Sequence, residues 1–487
     1  MSETTVVGSS KPPEAEPPRL GFRLLLGDGL FYGLGPMVAR LLGFITLPFV
    51  AQALGPEGFG TLELYSSVGS AAAAFLLMGM DSTTLSLFTS EDSTPGLREA
   101  VFPSALWIET ILALCFMAAV FLFYRPLGDA LSGIPAEGIL LFPVAFFTLA
   151  ASIGNVSRAG HRATGRPKSY LASTLVAAFA STFAIAVVLI FGPSVRNILI
   201  AQAIGAGAGG LVGLVLMKGL LGARPERAVK IDLLRLGFPY VYSVGAVVMA
   251  EVVHRWWLLR VDGAAAVGAL GLAVRLAAVM AFVGLALQTA WYPRVINLLR
   301  DPIGTRVVSR DTVRIASLLG LIAASLAAIS PEVVILIGSD VFADSVEPVG
   351  WLLAAALGLA FFQMLTVSNV VGRDFTAIGI SSVVGVFVGL GLAVVFVPRF
   401  GAVGTAASMA IGQWFAVGAV AILNRRKAQN KVPVRIPLLA ATLPAISCVL
   451  LTFDEHGWPL RLGVVLVVAR WAGFFLSRPL ANDPTDI

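Results

Sequence analysis

Arg40 and Arg275 each stand near the middle of a long, mostly apolar run. An ionisable residue at mid-membrane costs about 2.5–3.5 kcal/mol on insertion scales, so it usually faces a cavity or a partner. Arg grips phosphate oxygens with a planar fork of N–H donors. Two such groups converging on one gap suit a diphosphate. The competing reading is local pairing with a carboxylate such as Asp81 or Glu109, which staples helices and nothing more. Two further clusters have helical spacing. Glu251, His254 and Arg255 fall at i, i+3 and i+4, on one helix face. They read as a cavity rim, a gate or an interfacial ion pair, beside Trp256 and Trp257, which suit an interfacial aromatic belt. Arg158, His161 and Arg162 repeat that spacing, and Arg166 and Lys168 follow. They read as a basic entrance for an anionic head group or as simple anchoring at the inner interface. Asp81 sits among hydroxyls in "GMDSTTLSLF", as a cavity or gate candidate or as a hydrogen-bonding partner of nearby helices.

These residues need a membrane scaffold to position them. Of 487 residues, 57% are hydrophobic and 13% charged, with a mean hydropathy of +0.88. A soluble domain carries roughly twice that share of charge. Apolar stretches of helix-spanning length recur along the chain. They place fourteen spans at about 29–54, 61–88, 99–123, 138–160, 169–191, 196–217, 236–259, 265–290, 313–338, 347–371, 376–397, 402–423, 436–453 and 459–476. The polar, proline-rich residues 1–20 read as a disordered tail. Alternating sides give a strong bias. Of the 34 Lys and Arg, 26 fall on the side of the N-terminus. Arg125, Arg196, Arg255, Arg260, Arg399 and Arg461 fall on the other. The positive-inside rule then puts both termini in the cytoplasm. No basic groove on a soluble face is left for nucleic acid.

The chain also repeats. "GTLELYSSV" begins at Gly60 and "GALGLAVRL" at Gly268, 208 residues later. "TGRPKSYLAST" (Gly165) and "VGRDFTAIGISS" (Gly372) are 207 apart, as are "QAIG" (Gly205) and "MAIG" (Gly412). The expected architecture is an all-α polytopic membrane protein, built as two pseudo-symmetric six-helix bundles plus two C-terminal helices. The bundles would span residues 21–222 and 223–427, and the added helices and short tail 428–487. Arg40 and Arg275 then belong to different bundles and can both face the gap between them. Repeats of this kind rock one bundle against the other around a central site. "GAGAGG", Gly205–Gly210, matches a dinucleotide fingerprint but lies inside an apolar helix. Gly205, Gly209 and Gly213 instead make a smooth packing face. No catalytic triad, metal-ligand spacing or nucleotide loop stands out.

The turn in "AQALGPEGFG", the step "ATGRPKSY" and the segment "ILIGSDVFADSVEPVGWL" resemble Wzx-type polysaccharide flippases, as does the count of fourteen. The resemblance covers about residues 25–476. It implies the superfamily that also holds the peptidoglycan-precursor flippase and the multidrug antiporters. It also implies a non-enzyme that moves a polyprenyl-diphosphate-linked oligosaccharide across the bacterial cytoplasmic (inner) membrane. Membrane lipid, a polysaccharide polymerase and glycosyltransferases would be its partners. No cofactor is implied, and Na+, H+ or the membrane potential are the candidate energy sources. A drug/cation antiporter and a membrane-embedded polymerase are the alternatives. The glycine-rich turn itself reads as a structural corner that does not touch substrate.

Overall fold

The computed structural model describes residues 22–77, 79–89, 95–298, 302–371, 375–426, 435–452 and 457–477. The N-terminal tail and the landmark at Gly372 lie outside them. The helices are α1 (Phe22–Leu77), α2 (Met80–Thr89), α3 (Pro95–Ser132), α4 (Leu141–Ala163), α5 (Pro167–Phe191) and α6 (Val195–Met217). They continue as α7 (Arg227–Leu298), α8 (Pro302–Gly338), α9 (Val346–Val371), α10 (Phe375–Arg426), α11 (Arg435–Thr452) and α12 (Trp458–Ser477). No strand occurs among the described residues. Helices satisfy every backbone group internally, which an open sheet in lipid cannot do.

Among the described residues, ten helices are long and apolar enough to cross a membrane. Three of those apolar stretches, Phe31–Leu77, Gly245–Gly284 and Thr376–Asn424, are far longer than one crossing needs, at 47, 40 and 49 residues. A straight helix the length of α1 would run about 84 Å, against a hydrocarbon core of about 30 Å. Each of these helices breaks at one glycine: Gly55 in α1, Gly263 in α7 and Gly401 in α10. A shorter apolar helix, Ala441–Thr452, adds to the ten. Fourteen crossings follow if each broken helix crosses twice and this one crosses as well.

The breaks carry the duplication. Gly55 (φ 66°, ψ 176°) and Gly263 (φ 84°, ψ 180°) share a conformation open to glycine alone. They are 208 residues apart, the spacing already set by Gly60 and Gly268. A second matched pair comes next. Gly133 and Ser339 both have positive φ, and each introduces a short 3-10 turn, Pro135–Leu140 and Asp340–Ser345. We refer to α1–α6 as lobe one and to α7–α10 as lobe two.

Packing within the lobes uses small residues. A methyl group on Gly205 or Gly209 would strike Ser181 or Ala177 of α5, and one on Gly213 would strike Ser157 of α4. The smooth face read from "GAGAGG" is therefore a three-helix contact. The last two helices dock on lobe two. Pro444 of α11 lies against Gly320 of α8, and Thr452 and Cys448 lie against Gly350 of α9. Arg461 of α12 pairs with Glu332 of α8 at 2.8 Å.

Candidate functional site between the lobes

The lobes touch backbone to backbone at their glycine corners. A methyl group on Gly60 would overlap the carbonyl of Ala264, and one on Gly268 would overlap the carbonyl of Pro56. Pro56 and Ala264 are themselves 208 residues apart. The contact is therefore reciprocal: each corner places its glycine on the other's equivalent carbonyl, as in a two-fold interface. Phe59, fully buried, packs edge-to-face on Phe342 at 5.8 Å. Gln52 donates to the Ile337 carbonyl at 3.0 Å. At the same end, Trp256 Nε1 donates to the Ala130 carbonyl at 2.8 Å, and Arg260 donates to the Asp129 and Ala130 carbonyls at 2.7 and 2.9 Å. These are carbonyls of the last turn of α3, where cations are favoured by the helix dipole. In this structure the corner end is closed.

About one turn from Gly60 lies Glu63, 6% exposed. Its Oε1 accepts from Arg275 Nε at 2.7 Å and from a terminal guanidinium nitrogen at 2.5 Å. The pair joins lobe one to lobe two. Glu63 fits because its neighbour across the interface is Gly271, where any side chain would strike the Glu63 methylenes. The Arg275 guanidinium also sits 5.5 Å from the Phe59 ring centre. Sequence reasoning singled out Arg275 but missed Glu63, which stands within the repeated segment "GTLELYSSV". The signal was available: shifting by 208 sets Glu63 opposite Gly271, one turn before Arg275.

Arg40, on the first half of α1, is exposed, with its guanidinium 5.7 Å from the ring centre of Phe282 on α7. Phe282 lies seven residues beyond Arg275 on the same helix. Seven residues are two turns, so Phe282 stands on the same face of α7 as Arg275, about 10 Å along its axis. Arg40 thus contacts the face of α7 that also carries Arg275. The two arginines do not share a partner.

The other candidates lie within single lobes. Arg162 is paired with Asp81 at 3.4 Å, both partly exposed. Arg158 donates to Asn155 Oδ1 at 2.5 Å. His161 is fully buried, with Nε2 3.2 Å from the Gly213 carbonyl of α6. Arg166 is exposed at the start of α5. The spacing that aligned these groups on one face holds, but each points to a different partner. Asp81's hydroxyl neighbours are occupied locally: Thr83 and Thr84 donate back to Gly79 and Met80. In α7, Arg255 is buried and reaches exposed Glu251 at 3.6 Å. His254 is turned away from that pair, with Nδ1 2.7 Å from the Ala250 carbonyl. Trp256 is engaged with the end of α3, beyond a plain belt role.

The fold is shared with solved transporters. A structure titled lipid II flippase MurJ, inward closed conformation, superimposes with a TM-score of 0.72 at 13% identity, covering 92% of this chain and 98% of that one. An inward-facing multidrug resistance MATE family transporter of the MOP superfamily gives 0.66 at 16%, covering 83% and 96%. The MATE multidrug transporter DinF-BH gives 0.63 at 16%, covering 85% and 99%. No curated protein matches the sequence. The protein is a multi-pass membrane protein with a flippase-like transporter fold. The family described as polysaccharide biosynthesis protein matches residues 25–298, more than half of the chain. The resemblance carried by the corner motifs is thereby met, and this chain belongs to the polysaccharide biosynthesis protein family.

Proposed function

We propose that the protein flips a polyprenyl-diphosphate-linked oligosaccharide, the repeat unit of a cell-surface polysaccharide, from the inner to the outer leaflet of the bacterial cytoplasmic membrane. Fourteen helices, with bundles at 21–222 and 223–427 and an added pair within 428–487, would rock about the lobe interface. On this reading both termini are cytoplasmic and the glycine corners face outward. The single observation that carries the proposal is a pair of arginines where α1 meets α7, with Arg40 exposed against Phe282 and Arg275 held by Glu63.

The mechanism follows from that pair. The head group enters from the inner side while the prenyl tail stays in lipid. Its first phosphate meets Arg40. The second competes with the Glu63 carboxylate for the Arg275 fork, because one guanidinium cannot satisfy both fully. Loading therefore weakens a bond that closes the corner. A ligand shifts a two-state equilibrium only through its differential affinity for the two states, and competition for Arg275 supplies that difference. Asp81, Glu251, His254 and Arg255 remain candidate gate residues, and Arg158, His161, Arg162 and Arg166 the candidate basic entrance. Membrane lipid holds the tail, glycosyltransferases supply the substrate, and a polymerase consumes it.

The test is depletion of the gene with lipid-linked sugars followed by leaflet. Retention of the sugars at the inner leaflet is expected, and normal export without a paralogue overturns the reading. Arg275→Ala, properly inserted, should lose flipping; unchanged flipping removes Arg275 from the mechanism. The likeness to MATE transporters keeps a drug/cation antiporter as the second reading. Ion-gradient-dependent drug resistance in cells whose surface polysaccharide is unaffected would select it. An enzymatic role, as polymerase, would lengthen product chains in a reconstituted system.

A further inference from the structure

Gly213 of α6 lies so close to Ser157 of α4 that a methyl group on it would strike the hydroxyl. One turn back along α6, a methyl group on Gly210 would stand 3.1 Å from the Ala150 carbonyl. A further turn back, one on Gly207 would meet nothing within 4 Å. Missing side chains on α6 thus leave an apolar groove of about 440 Å³, floored by Gly207 and Gly210 and walled by Phe146, Ile153, Ile204 and Leu211. Its lining comes from α4 and α6 alone. Both helices are among those long and apolar enough to cross a membrane.

The size of the groove selects its occupant. The α6 residues that line it run from Ile200 to Leu214, about 21 Å along the helix axis. Spread over that length, the volume leaves a cross-section of about 20 Å². One unbranched hydrocarbon chain fits such a channel. A partner helix, about 10–12 Å across, does not. A prenyl chain carries methyl branches along its length and fits less closely, and dispersion contacts are lost quickly when surfaces stand apart.

Charge selects the head group. Gly207, Leu211, Leu214 and Lys218 follow at alternating steps of four and three, which brings Lys218 to the groove side of α6, one turn past its end. Lys218 is exposed, and its ammonium has no ion-pair partner among the described residues. The nearest cation along α4, Arg158, is engaged with Asn155. Lysine at a membrane surface attracts anionic lipid.

We propose that this groove holds one anionic phospholipid, with an acyl chain lying along α4 and α6 and its phosphate at Lys218. The lipid forms part of the wall of lobe one and travels with it.

The experiment uses the full chain in phosphatidylethanolamine/phosphatidylglycerol vesicles, with phosphatidylglycerol carrying a diazirine on one acyl chain. After illumination, adducts should map to the groove stretches of α4 and α6. Adducts confined to other helices overturn the proposal. Gly207→Leu fills the groove from its floor, and the groove adducts should be lost; undiminished adducts overturn the proposal. Should that variant fail to insert, the wild type still decides. Added unlabelled phosphatidylglycerol must dilute the groove adducts more than added phosphatidylethanolamine does, and equal dilution overturns the proposal. Lys218→Gln should abolish that difference, and a retained difference overturns the placing of the phosphate. Displacement by a polyprenyl phosphate in preference to phosphatidylglycerol would give the groove to a prenyl tail and overturn the proposal equally. The labelling needs no transport, so its result is independent of the flippase reading.

Discussion

The two lobes repeat a backbone and diverge in charge. Gly55 and Gly263 bend in the same left-handed way, and Gly60 and Gly268 rest on each other's equivalent carbonyls. Three residues beyond those glycines the copies part: lobe one has Glu63 and lobe two has Gly271. The glutamate crosses the pseudo-two-fold axis, occupies the room that the glycine leaves, and meets Arg275. The equivalent of Arg275 in lobe one is Ser67, and the equivalent of Arg40 in lobe two is Val248. Duplication supplied the shape of the interface. Its chemistry came from breaking the symmetry, because two like residues facing across an axis cannot form an ion pair.

That contrast can be tested from the backbone outward. Gly60→Val or Gly268→Val puts a side chain where a carbonyl now sits. The corner should fail to close, and flipping should fall at least tenfold with the protein still inserted. Rates near wild type would show the corner to be dispensable. Gly271→Leu should come next, since it expels the Glu63 side chain. Overpacking of this kind costs about 1–3 kcal/mol, and Val267, buried beside Gly268 at the corner, can report it: as Val267→Cys on a Cys115→Ser, Cys448→Ser background, its labelling by an impermeant maleimide should rise; unchanged labelling would separate Gly271 from the gate. Glu63→Gln and Arg275→Gln should each raise labelling. Their double-mutant cycle should give a coupling of about 1–2 kcal/mol for a half-buried pair, and additivity would mean that the pair does not hold the corner. Trp256→Phe deletes one hydrogen bond to the end of α3, worth about 1 kcal/mol, and should loosen the corner less. Glu251→Gln should change labelling least, because the Glu251 end of this 3.6 Å i, i+4 pair is exposed and pairs of that spacing contribute about 0.3–0.5 kcal/mol.

Much of the scaffold was legible in the sequence because lipid imposes length and apolarity on every span. The repeat was legible because glycine is the only residue the corner geometry tolerates, so it survives as a landmark at a fixed interval. The corner read as structural, and it is, but its partner was hidden. Nothing local in "GPEGFG" says that its glycine meets a carbonyl two hundred residues away. Glu63 was passed over for the same reason, since its value depends on a vacancy in the other copy. Glu109 read as a staple for a mid-membrane arginine. Asp81 does pair with an arginine, Arg162, while Glu109 has no such partner among the described residues. Helical spacing aligned Arg158, His161 and Arg162 correctly but could not show that each side chain leaves in its own direction.

The reciprocal glycine contact also bears on how such a carrier can change over time. A seal made of backbone on backbone offers selection almost nothing to adjust: any added side chain breaks it, and no substitution strengthens it. Its tightness is set by geometry once and for all. The adjustable part lies one turn away, in a single carboxylate and a single guanidinium, where one substitution can retune how readily the lobes separate. A lineage that meets a bulkier or less charged sugar can respond there without rebuilding the hinge.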